Sequence, residues 1–295
     1  MSFNSLSKIK LLTCLTAGSI LIFLCNNGFG QRSGIAGGSA GPARGTLVIV
    51  GGGAADSAMA SFINLAGGND AAIVVIPTAE GSKDYNQNSG GAGNLRRLGA
   101  TNVTVIHTYD KNIANTDSFN IPLANAKAVW FGGGRQWRIV DAYKGTLTEK
   151  LIRNVLEKGG VIGGTSAGAT IQGSFLVRGD TKNNQIMMGD HQEGFGYLKN
   201  VAIDQHVLAR NRQFDMFEIM KSHPELLGIS IDEGTAIVVK GNQFEVVGRS
   251  YVIVYDGTFW SREGIDLKKL PEKNFLFYFL SKGDKYDLLN RKVIQ

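Results

Sequence analysis

The stretch Val161-Ile-Gly-Gly-Thr-Ser-Ala-Gly-Ala169 decides the fold. Val161 and Ile162 open an apolar run, and directly after it Gly164-Thr165-Ser166-Ala167-Gly168 forms a G-x-S-x-G sequence. A strand that ends at such a serine and turns into a helix is the context a nucleophile elbow requires. Small residues on either side let the backbone pass close to itself and expose Ser166 Oγ at the sheet edge. The Ala167 N–H at the helix start then points at a developing oxyanion. The competing reading is a glycine-rich turn with an incidental serine. The apolar strand before it, with Gly163 and Ala169 beside it, favours the catalytic reading.

The flanking chain repeats the strand-then-helix pattern. Residues 46–50 are a β-branched run ending in Gly51-Gly52-Gly53, and 57–65 have helical character. Residues 71–76 read as a second buried strand closed by Pro77, 94–98 as a helix end, 102–107 as a third strand and 126–131 as a fourth, again followed by glycines. Residues 147–158 carry a helical period stopped by Gly159-Gly160. Continuous apolar strands alternating with helices predict an α/β fold, a mostly parallel sheet with helices on both faces. After about residue 225 the runs 228–232, 235–239, 243–247 and 251–255 are closely spaced and predict antiparallel hairpins appended to that sheet. Ligands gather at the C-terminal ends of parallel strands, so the ends after Val50, Phe131 and Ile162 should converge.

The first residues carry a different signal. Lys8 and Lys10 precede an apolar run over 11–24, then polar residues and the small Gly28 and Gly30. This pattern predicts a secretory signal peptide over 1–30 with cleavage near Gly30–Gln31, hence a secreted or periplasmic protein with no stable membrane insertion after its removal. The run is too short for a membrane span. Cys25 raises a lipoprotein alternative, which Leu24 disfavours because a small residue is normally wanted there. Both cysteines, Cys14 and Cys25, lie in this segment, so the mature chain has no disulfide, cysteine nucleophile or thiolate metal site. Losing two lysines lowers the formal charge from +6 to about +4. The charges are scattered, which fits an acidic substrate or surface and gives no stripe for nucleic acid. Residues 31–45 read as a flexible Gly/Ser/Ala tether, and 46–295 as one domain. No metal cluster or cofactor motif is present, since Gly51-Gly-Gly53 lacks the G-x-G-x-x-G spacing and its acidic partner.

A serine nucleophile needs a base, and the histidines are His107, His191, His206 and His223. His107 closes a strand and reads as structural, and His223 before Pro224 reads as surface. His191 sits in a polar loop. His206 is the best candidate, because the apolar run 201–203 ends in Asp204-Gln205-His206, with Arg210 and Arg212 beyond. One acid, one amide, one imidazole and two guanidiniums make a poor core and a good site. The base needs an orienting carboxylate. Asp190, Asp204 and Glu233 all qualify by position, and spacing does not choose among them.

Several blocks together resemble the cyanophycinases of serine peptidase family S51, whose fold is like that of class I glutamine amidotransferases. They are Val50-Gly-Gly-Gly53, Ile76-Pro-Thr-Ala79, Phe131-Gly-Gly-Gly-Arg-Gln136, Gly163-Gly-Thr-Ser-Ala-Gly-Ala169, Asp204-Gln-His206 with Arg210 and Arg212, and Gly228-Ile-Ser-Ile-Asp-Glu-Gly-Thr-Ala236. The resemblance implies a flavodoxin- or amidotransferase-like sheet, with Ser166 as nucleophile, His206 as base and Glu233 as orienting acid. It implies an oxyanion hole at Gly134 and Ala167, and a substrate pocket lined by Gln136, Asp204, Gln205, Arg210 and Arg212. The implied substrate is cyanophycin, an aspartate backbone with arginine on each side-chain carboxylate, released as β-Asp-Arg dipeptides. Arg210 and Arg212 offer planar forks for aspartyl carboxylates. Asp204 would contact a substrate arginine or hold those two arginines. Arg135 and Asp215 depart from the pattern, Asp215 standing where a third pocket arginine is expected. Other readings are an aspartyl dipeptidase of the same family, or a secreted binding protein on the same fold. A homodimer is implied by the family alone.

Overall fold

The run Thr46–Val50 is buried at every position and forms β1, against which the rest of the large sheet is built. The computed structural model describes residues 38–53, 55–264, 272 and 275–295, and the expected signal peptide at 1–30 lies outside them. The elements that follow β1 are α1 (Asp56–Ala66), β2 (Ile73–Ile76), α2 (Ala92–Arg97), β3 (Val103–Val105), α3 (Lys111–Ala114), α4 (Asp117–Ala124), β4 (Ala128–Phe131), α5 (Gln136–Tyr143), α6 (Leu147–Glu157) and β5 (Val161–Thr165). Then come α7 (Ala167–Thr170), β6 (Gly173–Phe175), β7 (Leu198–Gln205), α8 (Met216–Ser222), β8 (Leu227–Ile231), β9 (Thr235–Lys240), β10 (Gln243–Gly248), β11 (Val252–Tyr255), β12 (Tyr278–Leu280), β13 (Lys285–Asp287) and β14 (Lys292–Ile294).

The fold is the expected α/β one. Strands β3-β2-β4-β5-β1 run parallel, and β9, β10, β13 and β14 continue the same sheet antiparallel beyond β1. Side chains alternate across β1. Leu47 and Ile49 face a core shared with α5, α6 and a second sheet, while Val48 and Val50 face α1 and α2. Strong boundaries match their sequence signals. Thr146 caps α6 by accepting from the Glu149 N–H, and Gly159 ends that helix at φ 94°.

The late strands divide in a way the sequence does not reveal. The hairpin β9–β10 is appended to the large sheet, but residues 228–232 and 251–255 belong to a second sheet ordered β6-β7-β8-β11-β12. There β8 pairs in parallel with β7 and antiparallel with β11. β8 is buried throughout, and a run without alternation suits a strand covered on both faces, not a hairpin arm with one wet side.

The expected tether also differs over the part described, residues 38–45. Ser39 is fully buried and its Oγ donates to the Asn200 carbonyl at 3.1 Å. Ala40 forms a bridge with Lys199, and a Cβ on Gly41 would overlap the Gly241 carbonyl. The small residues serve close docking here rather than flexibility. None of the described helices is long and apolar enough to cross a membrane.

Candidate active site

Three successive carbonyls at the end of β1 hold the site together. Val50 O accepts from the Ser166 N–H at 3.0 Å, Gly51 O from the His206 N–H at 2.9 Å and Gly52 O from the Gly234 N–H at 2.9 Å. Ser166 arrives from β5, the parallel neighbour of β1. His206 and Glu233 follow β7 and β8, which run parallel with Gln205 opposite Ile231, so the chain leaves both strands at one level. Residues 40 and 27 positions apart in sequence are thereby brought to one place.

Ser166 sits at φ 55° and ψ −112°, a conformation that a side chain rarely adopts, immediately before α7. Its carbonyl accepts from the Ala169 and Thr170 N–H groups, which fixes the turn. The flanking glycines are needed for contact: a Cβ on Gly164 would overlap the Gly168 carbonyl, and one on Gly168 the Phe131 carbonyl. His206 also has positive φ, 56°, at the exit of β7.

Ser166 Oγ lies 2.9 Å from His206 Nε2, and His206 Nδ1 lies 2.6 Å from Glu233 Oε1. With the ring proton on Nδ1 donated to the carboxylate, Nε2 accepts from the serine hydroxyl. Gly52 and Gly53 make room for these side chains. A Cβ on Gly52 would overlap the imidazole, and one on Gly53 would lie 2.9 Å from Glu233 Oε2. Asp232 clamps the two strand exits together: Oδ1 accepts from the Leu208 and Ala209 N–H groups, and Oδ2 from Ser250 Oγ at 2.6 Å. Burial pushes the Asp232 carboxyl up, but these hydrogen bonds outweigh it and hold it below the ordinary value.

The electrostatics suit an imidazole that must accept a proton. Burial pushes His206 below the usual histidine value; the hydrogen bond it donates to Glu233 opposes this, and the charges of Arg210 and Arg212 add to the lowering. The lowering favours the neutral ring, the form able to accept a proton.

The other histidines and acids are engaged elsewhere. His107 contacts Thr78 Oγ1 at 2.9 Å between Tyr85 and Tyr109. His191 lies between Asp190 and Asp141, and His223 faces Glu225. Asp190 accepts from Thr181, not from His206.

The residues expected to line a pocket separate into two groups. Gln136 is buried with Nε2 donating to the Val177 carbonyl, and Gln205 is buried with Oε1 accepting from Arg212 Nη1 at 3.2 Å. Arg212 is itself 4% exposed, while Arg210 is open to solvent. Asp204 is fully buried and holds neither Arg210 nor Arg212. It takes both Nε (2.8 Å) and Nη2 (3.0 Å) of Arg178, whose Nη2 also donates to Asp215 at 2.5 Å. Arg135 reaches the Asp180 carbonyl instead of a free rim. Of the glycines after β4, Gly133 lies nearest the serine; a Cβ there would stand 3.9 Å from Ser166 Oγ. Among the described residues no hydrogen bond engages the N–H of Gly133, Gly134 or Ala167.

Sequence reasoning missed Arg178. It is fully buried after β6, at φ 57°, and burial pushes its guanidinium down while Asp204 and Asp215 more than reverse this. The only signal for it was a lone cation closing the apolar run 175–177, beside an acid at 215 where a cation was expected.

The model of peptidase family S51 matches residues 47–247. A cyanophycinase from Geminocystis herdmanii is 30% identical over 262 residues, covering 84% of this chain and 94% of the relative. A cyanophycinase from Synechococcus elongatus is 30% identical over 266 residues, covering 84% and 80%. The crystal structure of a peptidase from an acI-B1 Actinobacterium shares the fold with a TM-score of 0.59 and 23% identity, covering 83% of this chain and 97% of that one. The chain belongs to peptidase family S51, as a cyanophycinase-like, serine-type hydrolase.

Proposed function

We propose that the chain is a secreted or periplasmic peptidase that cleaves aspartyl peptide bonds in cyanophycin, releasing β-Asp-Arg dipeptides. Ser166 is the nucleophile, His206 the base and Glu233 the orienting acid. The observation that carries this reading is the pair of contacts from Ser166 Oγ to His206 Nε2 (2.9 Å) and from His206 Nδ1 to Glu233 Oε1 (2.6 Å), set on a strained turn.

Ser166 Oγ attacks the carbonyl carbon as its proton passes to His206 Nε2, and Glu233 stabilises the imidazolium through Nδ1–H. The oxyanion is received by the free N–H of Ala167 and by the glycine loop at 133–134. Collapse breaks the C–N bond, and His206 returns its proton to the leaving amine. Water, activated by the same imidazole, then hydrolyses the acyl-enzyme. Arg210 is exposed and able to meet an aspartyl carboxylate. Gln136, Asp204, Gln205 and Arg212 act as the buried frame behind it.

Mass spectrometry of the products from purified cyanophycin tests this directly. The wild-type chain should release β-Asp-Arg, Ser166→Ala should release none while keeping the wild-type Tm, and Glu233→Gln should be slower by about 10³-fold or more. Undiminished turnover by Ser166→Ala would end the nucleophile assignment. Cleavage of free α- or β-aspartyl dipeptides in place of the polymer would make the chain a dipeptidase.

A further inference from the structure

A cavity of about 460 Å³ opens beside Ser166, and none of its walls comes from the segment carrying Arg210 and Arg212. Three wall residues touch the reacting groups. Thr165 precedes the serine, Gly133 lies against its side chain, and Gly53 packs on Glu233.

Its polar lining has a definite sign. Asp56 is paired with Arg97 at 2.7 Å, so the two neutralise each other. Glu80 has no cation as partner among the described residues. Its carboxylate lies above the glycine loop, 3.5 Å from where a Cβ on Gly132 would stand; partial desolvation pushes its pKa up and the nearby Gly90 N–H opposes this. A second observation points to a ligand. Trp130 is 1% exposed and its Nε1 is buried without an acceptor. A Cβ on Gly91, another wall residue, would stand 3.1 Å from that nitrogen, so the indole N–H reaches the space that Gly91 leaves open. Arg210 and Arg212 are absent from the cavity walls, and Glu80 is the wall charge without a cation partner among the described residues.

We propose that this cavity is a subsite for a cationic side chain of the substrate, a guanidinium carried on the peptide, with Glu80 as its ion partner and Trp130 Nε1–H free for an amide carbonyl of the same branch. The proposal rests on the reading of the chain as a peptidase for an arginine-bearing polymer. An exposed carboxylate with no cation partner gains from a ligand with several donors, and a charge-assisted hydrogen bond to it is worth about tenfold in affinity.

Calorimetric titration of the full Ser166→Ala chain separates this from the catalytic reading, because binding needs no turnover. The probes are two short oligomers with an aspartate backbone, one branched with arginine and one with citrulline, its neutral isostere. The arginine oligomer should bind about tenfold more tightly, and Glu80→Gln should bring the two within about twofold by weakening the arginine oligomer alone. Equal affinities in the Ser166→Ala chain, or a preference that survives Glu80→Gln, would overturn the subsite. Hydrolysis of the arginine oligomer by the chain with Ser166 intact is scored separately. Preferential binding without hydrolysis would sink the peptidase proposal and leave the subsite standing.

Discussion

Ser166 and His206 both hold positive φ, and each is fixed by a backbone hydrogen bond to the β1 exit. Strain of this kind costs about 1–3 kcal/mol per residue and persists only where the surroundings over-determine it. Here it aims Oγ and Nε2 at each other. The pH dependence of kcat/KM follows from the imidazole. Its neutral form accepts the proton, and its pKa is lowered, first by burial. Activity should therefore rise with pH through a midpoint below the ordinary 6.5 and stay flat above it up to the next ionisation. A pH–rate profile whose acid limb is centred above 6.5 would contradict this. At this scale the serine and histidine were readable from local motifs, because each stands at the end of an apolar run. The carboxylate was not readable from spacing. Asp190, Asp204 and Glu233 are equivalent in one dimension, and differ only in that Thr181 engages the first, Arg178 the second and His206 the third.

The decisive element is the glycine turn after β1, whose three carbonyls tie β5, β7 and the β8–β9 connection to one point. Glycine at 52 is needed because the imidazole fills the place of a side chain. Gly52→Ala should displace His206 and lower kcat by about 100-fold, as an ångström of misplacement does, with the fold retained by circular dichroism. Unchanged kcat would show that the ring does not depend on this turn. The buried ion group on β7 makes a prediction about stability. Arg178 is the cation for two carboxylates, and Asp204 is wholly inaccessible to water. Arg178→Met leaves that carboxylate buried and unpaired, which costs about 3–5 kcal/mol and should lower Tm by roughly 10 °C. A shift under about 2 °C would mean that Asp204 is neutral or hydrated. The strand runs and the stop of α6 were legible in the sequence because burial and glycine mark them. The parallel pairing of β8 with β7 was not, since a short apolar run carries no record of its partner's direction. Nor was Arg178, a charge whose partners lie 26 and 37 residues away.

The molecule as a whole is two sheets whose strand ends meet around one serine, with a cavity beside it walled in part by Glu80. The parallel pairing of the early strands and the covering of the sheet on both faces followed from continuous apolar runs alternating with helices, while the order of the strands did not. The division of late strands between two sheets, and the docking of residues 38–45, depended on contacts that composition does not encode. Neither the large sheet nor the second sheet carries the whole constellation. Ser166 belongs to the first, while His206 and Glu233 belong to the second, so the chemistry depends on their junction. Labelling with a serine-directed fluorophosphonate, followed by peptide mass spectrometry, tests that junction most directly. The account predicts a single adduct on Ser166, formed at least about 100-fold more slowly in His206→Ala than in the wild-type chain. An adduct on another residue, or one formed on Ser166 at the same rate without His206, would contradict it.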